Sequence, residues 1–187
     1  MLNWLTRRGA NVRKADEIYG TVVAQARRPG FYVDAYGVPD TLNGRYELVV
    51  LHLFLMLERI QAEPAMHEIS RSLVDRFCVD MDDCMREMGV GDLTVPKKVK
   101  RAAAGFYERA RAYRAGLADP SPDCLDEALQ TFIAGPVSPE HLGRNLGQFV
   151  RSATRALAAA DIESVVSGAA MPAPDGRAVP VEPTTLK

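Results

Sequence analysis

The sequence predicts an all-α fold: a single compact helical domain of about six helices with a disordered C-terminal tail. Three observations carry the prediction. Apolar residues recur at three- and four-residue spacings, and no stretch alternates apolar and polar residues long enough to argue for a sheet. Thr94 ahead of Pro96, Ser121-Pro122 and Ser138-Pro139 have the form of helix starts, a hydroxyl cap with proline in the first turn. Gly89 stands where a left-handed residue ends a helix. The chain of 187 residues suits one core. The expected division is a flexible basic N-terminus over 1–13, a helical domain over 14–162 and a disordered tail over 168–187.

The elements follow in order. A first helix covers about Lys14–Arg28 and stops at Pro29-Gly30. A connector with Gly37, Pro39, Asn43 and Gly44 leads to a second helix, about Arg45–Ala62. Its run LVVLHLFLML, Leu48–Leu57, is apolar on every side, so it is either enclosed by the other helices or exposes a patch for a partner. Ten helical residues rise about 15 Å, half a hydrocarbon core, so the run does not span a bilayer and the chain reads as soluble. His52 within it is expected to be a satisfied core histidine. A third helix covers about Ala65–Met88 and a fourth runs from Thr94 to about Leu117. The fifth and sixth are expected near Pro122–Ala134 and Pro139–Asp161. From Gly168 the chain is rich in proline, alanine and glycine, with little to bury.

A net charge of −1 gives no global field toward nucleic acid or an anionic membrane, but the charge is uneven. Asp80–Asp92 holds five acids against one arginine; Lys97–Arg114 holds seven bases against one glutamate. Three cysteines, Cys78, Cys84 and Cys124, are an odd number without framework spacing, which favours free thiols in a reducing compartment. The start MLNWLTRRGANVRK lacks the apolar run of an export signal. Leu2, Trp4 and Leu5 beside Arg7, Arg8, Arg13 and Lys14 suit either a solubilising start or a short membrane-surface segment.

The stretch DMDDCMREMGVGDLTVPKKVKR, Asp80–Arg101, is the most distinctive. A calcium loop starting at Asp80 would need glycine sixth and glutamate twelfth, where Met85 and Gly91 stand. Cys78 and Cys84 lie about 240° apart around a helix, and His52, His67 and His141 form no HExxH pair, so no zinc motif is present. GVGD has neither Walker nor GxGxxG spacing. No metal, cofactor or nucleic-acid motif is therefore expected.

Macromolecular contact remains. In the fourth helix Val99, Ala103, Phe106, Ala110, Tyr113 and Leu117 share one face, opposite Lys97, Lys100, Arg101, Glu108 and Arg111, with Lys98 and Arg109 flanking. Positive charge in the first turns opposes the helix dipole by about 0.3–1 kcal/mol per exposed residue. Asp80, Asp83 and Glu87 on the preceding helix, or an acidic partner, are the groups that would offset it. The third helix carries Val74, Phe77, Met81, Met85 and Met88, a stripe suited to an irregular core or to a variable apolar partner. Asp82, four residues before Arg86, is local helix support.

GVPDTLNGRYELVVLHLFLMLERI (Gly37–Ile60) and DMDDCMREMGVGDLTVPKKVKRAAAGFYER (Asp80–Arg109) resemble the ubiquinol–cytochrome c chaperone family, with similarity from about Tyr19 to Ala160. The residues matching its signature are Asp80, Asp82, Arg86, Glu87, Met88, Gly89, Gly91, Asp92, Lys97 and Lys100; Cys84 departs from the small polar residue expected there. The resemblance, to a bacterial-type member, implies a non-enzymatic assembly chaperone for the cytochrome bc1 complex. It implies a client, newly made cytochrome b, held while haem is inserted. In mitochondrial relatives it also implies a small partner protein and a place near the ribosomal exit. The expected partner contacts are Lys97, Lys98, Lys100 and Arg101, then Met81, Met85 and Met88. The expected location is the cytoplasm, at the inner face of the membrane. Two rival readings stay open: a helical enzyme or binding protein of quinone or haem metabolism, and a peripheral membrane adaptor working through Trp4 and its arginines.

Overall fold

A helix apolar on every side is either enclosed by its neighbours or exposes a patch. The computed structural model describes residues 2–32, 36–135 and 138–174, with side chains from Arg8 onward, and in it the second helix is enclosed. Among the described residues the helices are α1 (Leu2–Ala26), α2 (Leu42–Ile60), α3 (His67–Glu87), α4 (Val95–Ala118), α5 (Asp123–Ile133), α6 (Leu142–Ala159) and α7 (Ile162–Val166). Short 3-10 turns lie at Pro29–Phe31 and Pro64–Met66, and no strand is present among the described residues. Every other helix packs on α2. Of Leu48–Leu57 all but Val49 are buried, so the run is enclosed rather than displayed. His52 is fully buried, its Nδ1 2.8 Å from the Leu48 carbonyl and its ring between Phe31 and Phe149.

Local chemistry explains several helix ends. Thr41 Oγ1 accepts from the Gly44 amide at 3.1 Å, which starts α2 at Leu42 rather than Arg45. Gly44 is needed because a Cβ there would stand 2.0 Å from the Pro39 carbonyl oxygen. At Gly89, φ is +77°; its amide bonds the Arg86 carbonyl at 2.9 Å and the Val90 amide bonds the Met85 carbonyl at 3.0 Å, the Schellman pattern. The hydroxyl–proline device holds at one of three sites. Ser121 Oγ accepts from the Asp123 amide, but Thr94 makes no side-chain cap. Ser138 Oγ instead accepts from Gly135, and α6 begins later, at Leu142, with Gln130 of α5 accepting from the Gly143 amide at 2.7 Å.

Three expectations change. The backbone is helical from Leu2, so α1 starts well before Lys14; the side chains of Leu2, Trp4, Leu5 and Arg7 lie outside those described. The sixth helix ends at Ala159, because Asp161 accepts from the Ser164 amide at 2.8 Å and caps a separate short helix. The C-terminal segment is packed as far as Pro174: Gln25 Nε2 donates to the Gly168 carbonyl, and Met171 and Ala173 are buried. Residues 175–187, the remainder of the expected tail, lie outside the described residues.

Helix α1 runs parallel to α3, tied by Tyr19 Oη donating to Asp80 at 2.8 Å and by Arg76 against Asp16 at 3.3 Å. Burial, then the Asp80 carboxylate, raise the Tyr19 phenol, which therefore stays a donor. The ends of α1 and α3, the start of α2 and the start of α4 thus gather at one end of the molecule.

Candidate partner-binding groove

Helices α3 and α4 form a hairpin around Gly89. Where both carry aromatics they close on each other, Phe77 against Phe106 at 5.8 Å between ring centroids. Nearer the tip, α3 presents Met81, Met85 and Met88 while α4 presents Ala102 and Gly105, which are too small to meet them. The unfilled space is a groove of about 830 Å³, walled on its other side by Leu42, Tyr46 and Val49 of α2. Met81 and Met85 are half-buried and Met88 is 53% exposed. The methionine stripe is thus neither wholly core nor wholly free; its upper half faces solvent.

Arg109 lines the groove and is fixed by an ion pair behind it. Arg109 donates from Nε and Nη2 to the two Glu47 carboxylate oxygens, both at 2.6 Å, and from Nη1 to the Gly105 carbonyl at 3.1 Å. Its guanidinium lies 4.7 Å from the Phe132 ring centroid. Glu47 is 1% exposed. Burial pushes its carboxyl above the usual range, and Arg109 pulls it back down by less. Arg109, expected merely to flank the basic face, is turned inward. Glu47 carried a readable signal, a single acid at the head of an apolar run, since a buried charge requires a partner. Which arginine answers it, 62 residues away, was not visible.

The rim is basic. Lys98 and Arg101 line the groove and are exposed, joined by Arg27 from the end of α1. Lys97 and Lys100 are exposed but stand outside the lining. Among the described residues none of Lys97, Lys98, Lys100 and Arg101 lies within ion-pair distance of an acid. The acids expected to offset them do not: Asp80 is held by Tyr19 and Arg76, and Asp83 and Glu87 are exposed and face no lysine.

The remaining signature residues build the hairpin. Arg86 bonds Asp82 one turn back at 2.5 Å and Asp92 across the turn, so one guanidinium fastens α3 to the loop that Gly89 opens. Gly91 follows in open space and Glu87 is exposed. Burial first, then Asp80, raise the Cys84 thiol, which favours its protonated form on the groove wall. The three cysteines are free. Among the described residues no group of three or more His, Cys, Asp or Glu side chains is placed to hold a metal, and no helix is long and apolar enough to cross a membrane.

The model of the ubiquinol–cytochrome C chaperone family matches residues 34–172, most of the chain. The chain belongs to that family. The matched span contains α2 to α7, and so every wall of the groove except Arg27. Among solved structures the chain is similar to the Cbp3 homolog from Brucella abortus, with 35% sequence identity and a TM-score of 0.73 over 90% of this chain and 94% of that one. No curated protein sequence matches it. The family is one of chaperones, and the all-helical architecture is shared with the Brucella protein over nearly its whole length.

Proposed function

We propose that this chaperone acts in assembly of the cytochrome bc1 complex by holding newly made cytochrome b in the groove between α2, α3 and α4, without nucleotide turnover. One observation carries the reading: a half-exposed methionine wall faces small residues beneath a rim of unpaired cations. Methionine is unbranched and polarizable, so such a wall adapts to apolar segments of differing shape. The cations Lys98 and Arg101 suit acidic or carbonyl-rich ends of such a segment. Holding needs only higher affinity for the unassembled client than for the assembled one, which complex formation then relieves. A membrane-protein client supports a site of action at the inner face of the membrane.

The test is the triple variant Met85→Glu, Lys98→Glu, Arg101→Glu. It should keep wild-type helical content, lose cytochrome b on co-purification and lower quinol oxidation by bc1 in cells carrying only that variant. Unchanged capture and activity would overturn the groove as the client site. The groove volume, about 830 Å³, also lies within the range of small-molecule sites. A quinone or haem ligand held there would appear as a stoichiometric adduct in native mass spectrometry of the purified protein.

A further inference from the structure

Leu93 is fully exposed, at 100%, and it stands at the apex of the α3–α4 hairpin. A single exposed leucine means little. The surroundings of this one are unusual. The turn that carries it is pinned rather than slack: the Thr94 and Val95 amides both bond the Gly91 carbonyl, at 2.8 and 3.3 Å, and Val95 is completely buried. The acid beside it, Asp92, is drawn back onto Arg86. Met88, on the other strand of the turn, is half exposed. Behind the apex come Lys97, Lys98, Lys100 and Arg101, all exposed. From Arg86 to Arg101 there are five bases against two acids, a net charge of +3.

The spacing matters as much as the composition. Arg101 is eight residues beyond Leu93, so at 1.5 Å per helical residue the basic cluster lies within about 12 Å of the apex. An apolar tip followed at that depth by bases matches the interface of a lipid bilayer, where apolar side chains sit about 5–10 Å deep and cations meet the phosphates. We propose that the hairpin tip, Leu93 with Lys97 and Lys100, docks on an anionic phospholipid surface. Leu93 enters the headgroup boundary while the two lysines, which the groove does not use, pair with lipid phosphates. Among the described residues no helix is long and apolar enough to cross a bilayer, and the contact proposed here is a peripheral one. It would set the mouth of the groove, whose rim shares the same end of the molecule, against the membrane from which an apolar client emerges.

The experiment is flotation of the full chain with vesicles of phosphatidylcholine alone and of equal parts phosphatidylcholine and phosphatidylglycerol. The chain should float with the anionic vesicles and not with the zwitterionic ones, and raised salt should release it. Each base near such a surface strengthens binding about fivefold, so Lys97→Ala/Lys100→Ala should weaken it about twenty-fivefold. Leu93→Ser should weaken it about tenfold on its own. Both variants change exposed residues, and the wild-type comparison between the two vesicles stands without them. Equal binding to both vesicles, no binding to either, or unaltered binding by both variants would overturn the proposal. So would loss of cytochrome b capture by these variants without any vesicle binding, which would assign the tip to a protein contact. The groove variant Met85→Glu separates the two sites, because it should lose the client and keep the vesicles; loss of vesicle binding by that variant would count against this surface.

Discussion

Replacing Arg109 by alanine should be among the most damaging single changes in this protein. The substitution strands the Glu47 carboxylate, which is 1% exposed and has both oxygens committed to that guanidinium. Removing one partner of a buried ion pair destabilises by about 3–5 kcal/mol, because the survivor keeps its desolvation penalty and loses its compensation. The contact of the guanidinium with the Phe132 ring at 4.7 Å adds about 0.5–1 kcal/mol. Against a total stability of about 5–15 kcal/mol this is a large fraction. With a urea m-value of about 2 kcal/mol/M, the midpoint should fall by about 1.5–2.5 M. Protonating Glu47 is the escape route. Its folded pKa, already raised by burial, rises further once Arg109 is gone. The deficit should therefore be full above that pKa and shrink as pH falls toward the ordinary carboxyl value. The double variant Glu47→Leu/Arg109→Met, which leaves no stranded charge, should recover most of the loss. Urea unfolding followed by circular dichroism, at about pH 7 and about pH 5, reads all of this. An Arg109→Ala protein within about 1 kcal/mol of wild type, or a double variant as weak as the single, would refute the reasoning.

Two other outcomes follow from the structure. His52 is fully buried and its imidazole is pushed down to about 4, mainly by burial, from an ordinary 6.5. The stability this neutral ring contributes is present above about pH 6.5 and is lost as pH falls toward 4, up to about 3 kcal/mol in all. His52→Met should flatten that part of a stability–pH profile, and an unchanged profile would show that other groups cause it. Gly44→Ala places a methyl 2.0 Å from the Pro39 carbonyl oxygen, a backbone atom that cannot swing aside. A loss of at least about 2 kcal/mol in thermal or urea unfolding is expected, and a neutral result would mean that the Thr41 cap and its loop shift freely.

What could be read from the amino acids alone was whatever depends on one segment at a time. A run apolar on all sides must be enclosed or must expose a patch, so the enclosed place of α2 and the burial of His52 were one of two readings open in the sequence, and packing took that one. The break at Gly89 was legible, because a positive φ suits glycine and the Schellman bonds close within six residues. The helix dipole likewise marked Lys97–Arg101 as charge that its own helix does not welcome. What required the folded chain was every property that depends on two segments at once. The methionine stripe becomes a groove wall only because Ala102 and Gly105 face it; opposite larger residues it would be ordinary core. Glu47 finds Arg109 across a separation of 62 residues, and Gln130 caps α6 in place of Ser138. The C-terminal segment, whose composition read as a disordered tail, is held to Pro174 by burial of Met171 and Ala173 against a surface that does not exist until the helices have packed. Local pattern sets which face of each helix is apolar. Only packing decides which neighbour that face meets, and whether it meets one at all.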